Sequence, residues 1–221
     1  MARIIIQLFC FILPWFMRRA ILNSIGMKLH PESRIGYTII YSKEVILERR
    51  AYIGHLNLIK GLQVLHLEEE ARIGNLNWIS SMGTKLADSV AWTAPPHCAL
   101  YLGKSASITH QHLIDCSDNV AIGKYATVAG WRTQILTHSI DIEIGRQSVA
   151  PVHIGEFAFL GSGCIVLKGS KLPNKSVLAA GALLARKYEE EHTLYAGLPA
   201  QAVKQLSPDA KYFNRTESRV W

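Results

Sequence analysis

The sequence is poor in several features that would point to common functional classes. Its 221 residues hold four cysteines, Cys10, Cys98, Cys116 and Cys164, and no CxxC pair. Nothing in that spacing suggests a disulfide framework, and a reducing compartment fits best. No helix-turn-helix, zinc-finger or RNA-recognition pattern is present, so nucleic acid is not expected as a partner despite a net charge of +7. No apolar run is long enough for a membrane span. The best stretch, from Ile4 to Phe16, is broken by Pro14 and bounded by Arg3 and Arg18-Arg19. No small-x-small site follows it, so a signal peptide is not expected. Disorder is excluded by a hydrophobic fraction of 49%.

What the chain has is a period of six. Ile154, Leu160, Val166, Leu172, Leu178 and Leu184 lie six apart, and Val152, Ala158, Cys164, Ser170, Ser176 and Ala182 stand two residues before them. Six fits neither the 3.6 of an α-helix nor the period of a lone strand. It is the period of a parallel β-helix built of hexapeptides, three to a triangular coil. The spacing extends upstream through Ile35, Tyr41, Leu47, Ile53, Ile59 and Leu65, then Leu67, Ile73 and Ile79, then Leu102, Ile108 and Ile114, then Ile122 and Val128. Apolar-glycine pairs recur, among them Ile35-Gly36 and Ile53-Gly54, and read as tight corners where glycine supplies a positive φ.

The organisation expected is an apolar, basic helical segment over 1–30, a β-helix over 31–186 and a C-terminal loop and helix over 187–221. Two excursions interrupt the coil, at 81–100 and 139–151. Ala200 to Leu206 reads as a short helix after the Gly197-Leu198-Pro199 turn. The N-terminal segment suits either an interfacial helix on an anionic bilayer, through residues 4–22, or a helix packed on its own domain or across a subunit interface.

The stretch APVHIGEFAFLGSGCIVLKGSKLPNKSVLAAGALLARK, followed by LYAGLPAQAVK, resembles the C-terminal half of the hexapeptide-repeat acyltransferases. The resemblance covers about residues 102–206 in motif and 30–80 in repeat spacing alone. The apolar, basic N-terminus is similar to members that modify surface polysaccharides. The resemblance implies an all-β solenoid, a left-handed parallel β-helix, assembled as a homotrimer with acyl-CoA between adjacent subunits. It implies acetyl-CoA as acyl donor, a carbohydrate acceptor, no metal, and a cytoplasmic enzyme, at the inner face of the membrane if the N-terminus binds lipid.

Site residues follow from the same resemblance. His138, in Leu136-Thr137-His138-Ser139, matches the family's general base. An imidazole of ordinary pKa can take the proton of a sugar hydroxyl near neutrality. Asp141, three residues on, is the candidate to orient the ring. His110 and His112 stand where family members place an asparagine-rich acceptor segment; they read as acceptor contacts, as satisfied histidines at a coil corner, or as zinc ligands. The carbonic-anhydrase group of the same fold carries an H-x4-H pair, which is missing here. Ser162 and Ala180, 18 apart, match small residues lining the coenzyme groove. Ala185-Arg186 matches a Thr-Lys pair near the coenzyme phosphates, where arginine keeps the charge. Lys204 keeps the second charge of the GxPA segment, and Gln201 replaces the first. The leading expectation is an O-acyltransferase, most simply O-acetyl, acting on a surface polysaccharide or its lipid-linked precursor. The rivals are a soluble N-acetyltransferase on a nucleotide-sugar or amino acid, and a non-catalytic or metal-binding β-helix protein.

Overall fold

Because each hexad alternates inward and outward residues, each can form only a short strand before the chain must turn. A computed structural model, which describes residues 2–82 and 97–218, shows what three such strands per coil build. One coil runs through Glu44–Leu47, Tyr52–Ile53 and Leu58–Lys60. Stacked coils give three parallel sheets, here A, B and C, of seven, nine and seven strands; the two C-terminal strands of B form an antiparallel hairpin. The chain is a left-handed parallel β-helix. The core is the column of inward aliphatics: Ile53, Ile59, Leu65, Ile73, Ile79, Leu160, Val166, Leu172 and Leu178 are all fully buried. The interior admits no bulk water, and apolar burial stabilises each coil against its neighbours.

One repeat position differs from the sequence reading. Tyr41 is half exposed, and Ile40 points inward in its place. Ile40 pairs with Ile59 of the next coil. The step from Ile35 to Ile40 is five residues and that from Ile40 to Leu47 is seven, so a strict count of six lands one residue outward. The reason for the corner glycines also differs. Gly36 and Gly54 have no positive φ. They are glycine because coils approach closely there: a Cβ on Gly36 would lie 2.5 Å from the Gly54 carbonyl oxygen. The left-handed corner conformation is instead carried by Arg50, Leu56, Glu70, Leu76 and others.

Inside the corner between sheets B and C runs a polar column. Asn57 Nδ2 donates to Thr38 Oγ1 (3.1 Å), and Asn77 Nδ2 donates to Asn57 Oδ1 (3.0 Å). The amide of His112 donates to Asn77 Oδ1 (2.9 Å), and that of Thr133 to His112 Nδ1 (3.1 Å). Each side chain satisfies a neighbouring coil, so none of these buried groups is orphaned.

The N-terminal segment is two helices, α1 (Ala2–Cys10) and α2 (Trp15–Ser24), separated at Pro14, which has no amide to extend a helix through. They cover the open end of the coil, with Cys10 and Leu22 buried. Among the described residues no helix is long and apolar enough to cross a membrane. At the other end, Ala200–Gln205 is a strand and not the expected helix; it pairs antiparallel with Thr193–Gly197. The exposed edge of sheet B offers backbone hydrogen bonds that a strand takes up and a helix would not. The tail then crosses the outer face of B, where Tyr212 donates its hydroxyl to Thr127 Oγ1 (3.0 Å) and Arg215 stacks over Tyr212. Sheet C keeps an outward apolar row: Leu58, Trp78 and Leu113 are in register, with Trp78 and Leu113 exposed.

The excursion expected at 139–151 is an antiparallel hairpin, His138–Asp141 against Arg146–Val149. Most of that expected at 81–100 lies outside the described residues.

Candidate active site

The hairpin leaves the coil at the corner between sheets C and A. Strand Gln134–Ile135 ends there, Thr137 turns inward and is buried, and His138 opens the hairpin with its side chain 32% exposed. Directly beneath, on the previous coil, Asp115 ends strand Leu113–Asp115. His138 Nδ1 lies 2.7 Å from Asp115 Oδ2. The same carboxylate accepts the amides of Thr137 (2.9 Å) and His138 (3.1 Å) and the hydroxyls of Thr137 (2.8 Å) and Ser117 (2.6 Å). Asp115 is buried, and burial pushes its pKa up; the hydrogen bonds from Ser117, His138 and Thr137 outweigh that and hold it below the ordinary value. It is therefore a carboxylate at neutral pH. A carboxylate on Nδ1 selects the tautomer with hydrogen on Nδ1, which leaves the lone pair on Nε2, at the exposed edge of the ring.

The ring's partner is thus Asp115, a residue not singled out in the sequence, and not Asp141. Asp141 accepts the amides of Glu143 (3.1 Å) and Ile144 (3.3 Å) and stands opposite Arg146; it shapes the hairpin turn. The register of the coils brings Asp115 there. Strands Leu113–Asp115 and Gln134–Ile135 stack with Ile114 on Ile135, so Asp115 falls under Leu136, next to Thr137 and His138.

His112 is not on an acceptor surface. It is 2% exposed, accepts the Thr133 amide at Nδ1, and donates from Nε2 to Thr109 Oγ1 (3.0 Å). Burial and the nearby His110 lower its pKa to about 4, so it is neutral in the core. Its inward corner position continues the asparagine column. His110 is half-buried on the outer side of the corner; its Nδ1 accepts the Asn75 amide (3.0 Å) and its ring lies near Trp131. Among the described residues no group of three or more metal-ligating side chains converges.

The coenzyme candidates Ser162 and Ala180 lie at the corner between sheets B and C. Ser162 and Ala180 are exposed on successive coils, tied by the Gly181 amide donating to the Ser162 carbonyl (2.9 Å). One coil earlier, Gly130 belongs to the same column: a Cβ there would lie 1.7 Å from Ser162 Oγ. Gly130, Ser162 and Ala180 leave a backbone-rich strip that a slender ligand can approach. Ala185 and Arg186 follow strand Leu183–Leu184, at the opposite edge of sheet C, and both are exposed. Arg186 donates to Gln201 Oε1 (3.0 Å) and lies over the Tyr188 ring. Lys204 is exposed three residues farther along the Gln201 strand. Within one chain the structure does not bring His138 to Ser162 and Ala180. They stand at the two opposite edges of sheet C, with strand Ile165–Val166 between them.

No family model matches the chain, and no curated protein matches it. Solved structures do. The polysialic acid O-acetyltransferase OatWY superposes with a TM-score of 0.61 at 18% identity, covering 81% of this chain and 84% of that one. A hexapeptide transferase family protein from Anaplasma phagocytophilum gives 0.48 at 18% identity, covering 85% and 82%. A hexapeptide-repeat acetyltransferase from Vibrio cholerae, solved with acetyl coenzyme A, gives 0.44 at 15%, covering 93% and 88%. At such identities the likeness is one of fold: this chain has the β-helical architecture of OatWY across most of its length.

Proposed function

We propose that the protein is an acyl-CoA-dependent O-acyltransferase, most simply an acetyltransferase, acting on a hydroxyl of a surface polysaccharide or its lipid-linked precursor. The observation that carries this reading is His138 clamped by a buried, ionised Asp115, with Nε2 left to accept a proton. Nε2 takes the acceptor hydroxyl proton as its oxygen attacks the thioester carbonyl. The C–O bond forms, the tetrahedral intermediate collapses, the C–S bond breaks, and the imidazolium returns the proton to the departing coenzyme thiolate. Asp115 holds the tautomer and stabilises the imidazolium that forms. Arg186, with Lys204 farther out, offers charge for the coenzyme phosphates.

The separation of base and groove across sheet C favours a homotrimer. The apolar outward row of Leu58, Trp78 and Leu113 lies between the two corners and gives a neighbouring copy something to bury. In that assembly His138 of one copy faces the Ser162–Ala180 strip of the next. OatWY is a polysialic acid O-acetyltransferase, which supports a carbohydrate acceptor.

The test is coenzyme A release from acetyl-CoA in the presence of acidic oligosaccharides, with ester formation read by mass. His138→Ala should lose about 10²–10⁴-fold in kcat while keeping its fold. Near-normal transfer by that variant would end the assignment.

A further inference from the structure

The N-terminal helix pair wears its polarity inside out. Its coil-facing side carries Gln7 and Arg18, both buried. Gln7 pairs with Ile40 as a strand would, donating to its carbonyl (2.8 Å) and accepting its amide (2.9 Å). Arg18 donates to the Gly36 carbonyl (2.9 Å) and lies 5.3 to 5.6 Å from the ring centres of Phe11, Trp15 and Tyr37. The outward side is apolar. Ile5, Leu8, Phe9, Ile12, Phe16 and Met17 are between 42% and 87% exposed. Their spacing is that of the stripe a helix ordinarily turns to its core. Rolling the helices to bury it would break the bonds of Gln7 and Arg18, so the stripe is fixed outward. A contiguous apolar patch of this kind marks an interaction surface.

Charge indicates the occupant. Residues 1–31 hold no carboxylate, and of their cations Arg18 is turned to the coil and Lys28 pairs with Glu44, which leaves Arg3 and Arg19. A second copy docked face to face would set these cations against their own kind, whereas anionic headgroups complement them. We propose that this face of α1 and α2 docks on an anionic bilayer, with the helices in the headgroup plane and the coil standing away from it. Gln7 binds the first strand of sheet C, and the strand that feeds His138 is four places along the same sheet. At the usual strand spacing that puts the base about 20 Å above the docked strand. If the transfer reading holds, such a height suits an acceptor sugar carried out from the surface on a lipid-linked chain, in preference to a sugar at the headgroup itself.

The test is flotation of the full chain with phosphatidylcholine vesicles, with and without phosphatidylglycerol. The wild type should float with the anionic vesicles, less with the neutral ones, and less again at raised salt. The double variant Phe9→Glu, Ile12→Glu changes two exposed residues; circular dichroism should show an unchanged fold, and its vesicle binding should fall about tenfold or more. No flotation of the wild type, or equal flotation of the variant, overturns the proposal. So does a sedimentation mass that drops in the variant without any vesicle binding, which would make the face a contact between copies. Coenzyme A release with a free oligosaccharide should be equal in both proteins. Its absence in both would count against the transfer reading while leaving the docking result intact.

Discussion

The His138 imidazole and the Asp115 carboxylate, 2.7 Å apart, belong to consecutive coils, so the stacking of the solenoid itself sets their distance. Asp115→Asn keeps the size of the side chain but puts a neutral amide where the ring needs an acceptor. The expected outcome is a kcat about 10²–10⁴-fold lower with an unchanged KM for acetyl-CoA, read by steady-state kinetics. The same residue ties stability to pH. Its pKa is held down in the folded protein, so its stabilisation is complete above the unfolded value of about 3.9 and is lost as pH falls through the lower folded value. Asp115→Asn should flatten that acid limb in urea titrations.

His112 gives a pH dependence at higher pH. Its folded pKa is about 4, against about 6.5 in an unfolded chain, so between those values the unfolded state binds a proton that the folded state refuses. Stability should therefore fall as pH drops from about 6.5 to about 4, by about 3 kcal/mol at most, and level off below. His112→Asn, which continues the chemistry of Asn57 and Asn77, should keep the fold and remove that slope in denaturant unfolding.

Glycine at the coil-to-coil contacts should be hard to replace. A Cβ at Gly54 would lie 2.3 Å from Asn75 Oδ1 and 2.4 Å from the Gly74 carbonyl oxygen. Gly54→Ala should cost about 2 kcal/mol or more by thermal or urea unfolding. Gly145, at the hairpin tip, has a φ of +61° and open space around it. Gly145→Asn should stay close to wild type, because asparagine tolerates that conformation.

If base and groove come from different copies, two inactive variants should rescue each other. His138→Ala removes the base and Ser162→Trp fills the groove. Co-expressed in equal amounts, they should regain about a quarter of the wild-type activity, since one pairing in four joins an intact base to an intact groove. No activity in verified mixed trimers would place the whole site within one chain.

The coil was legible wherever each hexad had its full six residues, as between Val152 and Leu184, because one spacing then repeats the inward aliphatic. Tyr41 misled because the step from Ile35 is five residues, which puts Ile40 inward, and the next step is seven. The segment after Pro199 misled because its local pattern could serve a helix, and only the waiting edge of sheet B makes it a strand. His138 was found by its motif. Asp115 was not, since a contact made by stacking leaves no local mark: the two residues are far apart in sequence and adjacent only once the coils are in register. His112 shows the converse, a chemically suggestive side chain whose surroundings use up both of its nitrogens.

The polar column inside the B–C corner has a consequence for how the coils come apart. Thr38, Asn57, Asn77, His112 and Thr133 each bridge two coils, so sliding one coil along its neighbour by a single residue would strand a buried donor or acceptor at every step. Beyond Thr133 the column passes to Cys164 and Ala182, where it holds only a weak thiol donor and then none. The N-terminal two thirds of the solenoid should therefore open as one cooperative block in hydrogen exchange. The last coils should open separately and sooner, giving the Ser162–Ala180 strip a local freedom that the His138 corner lacks.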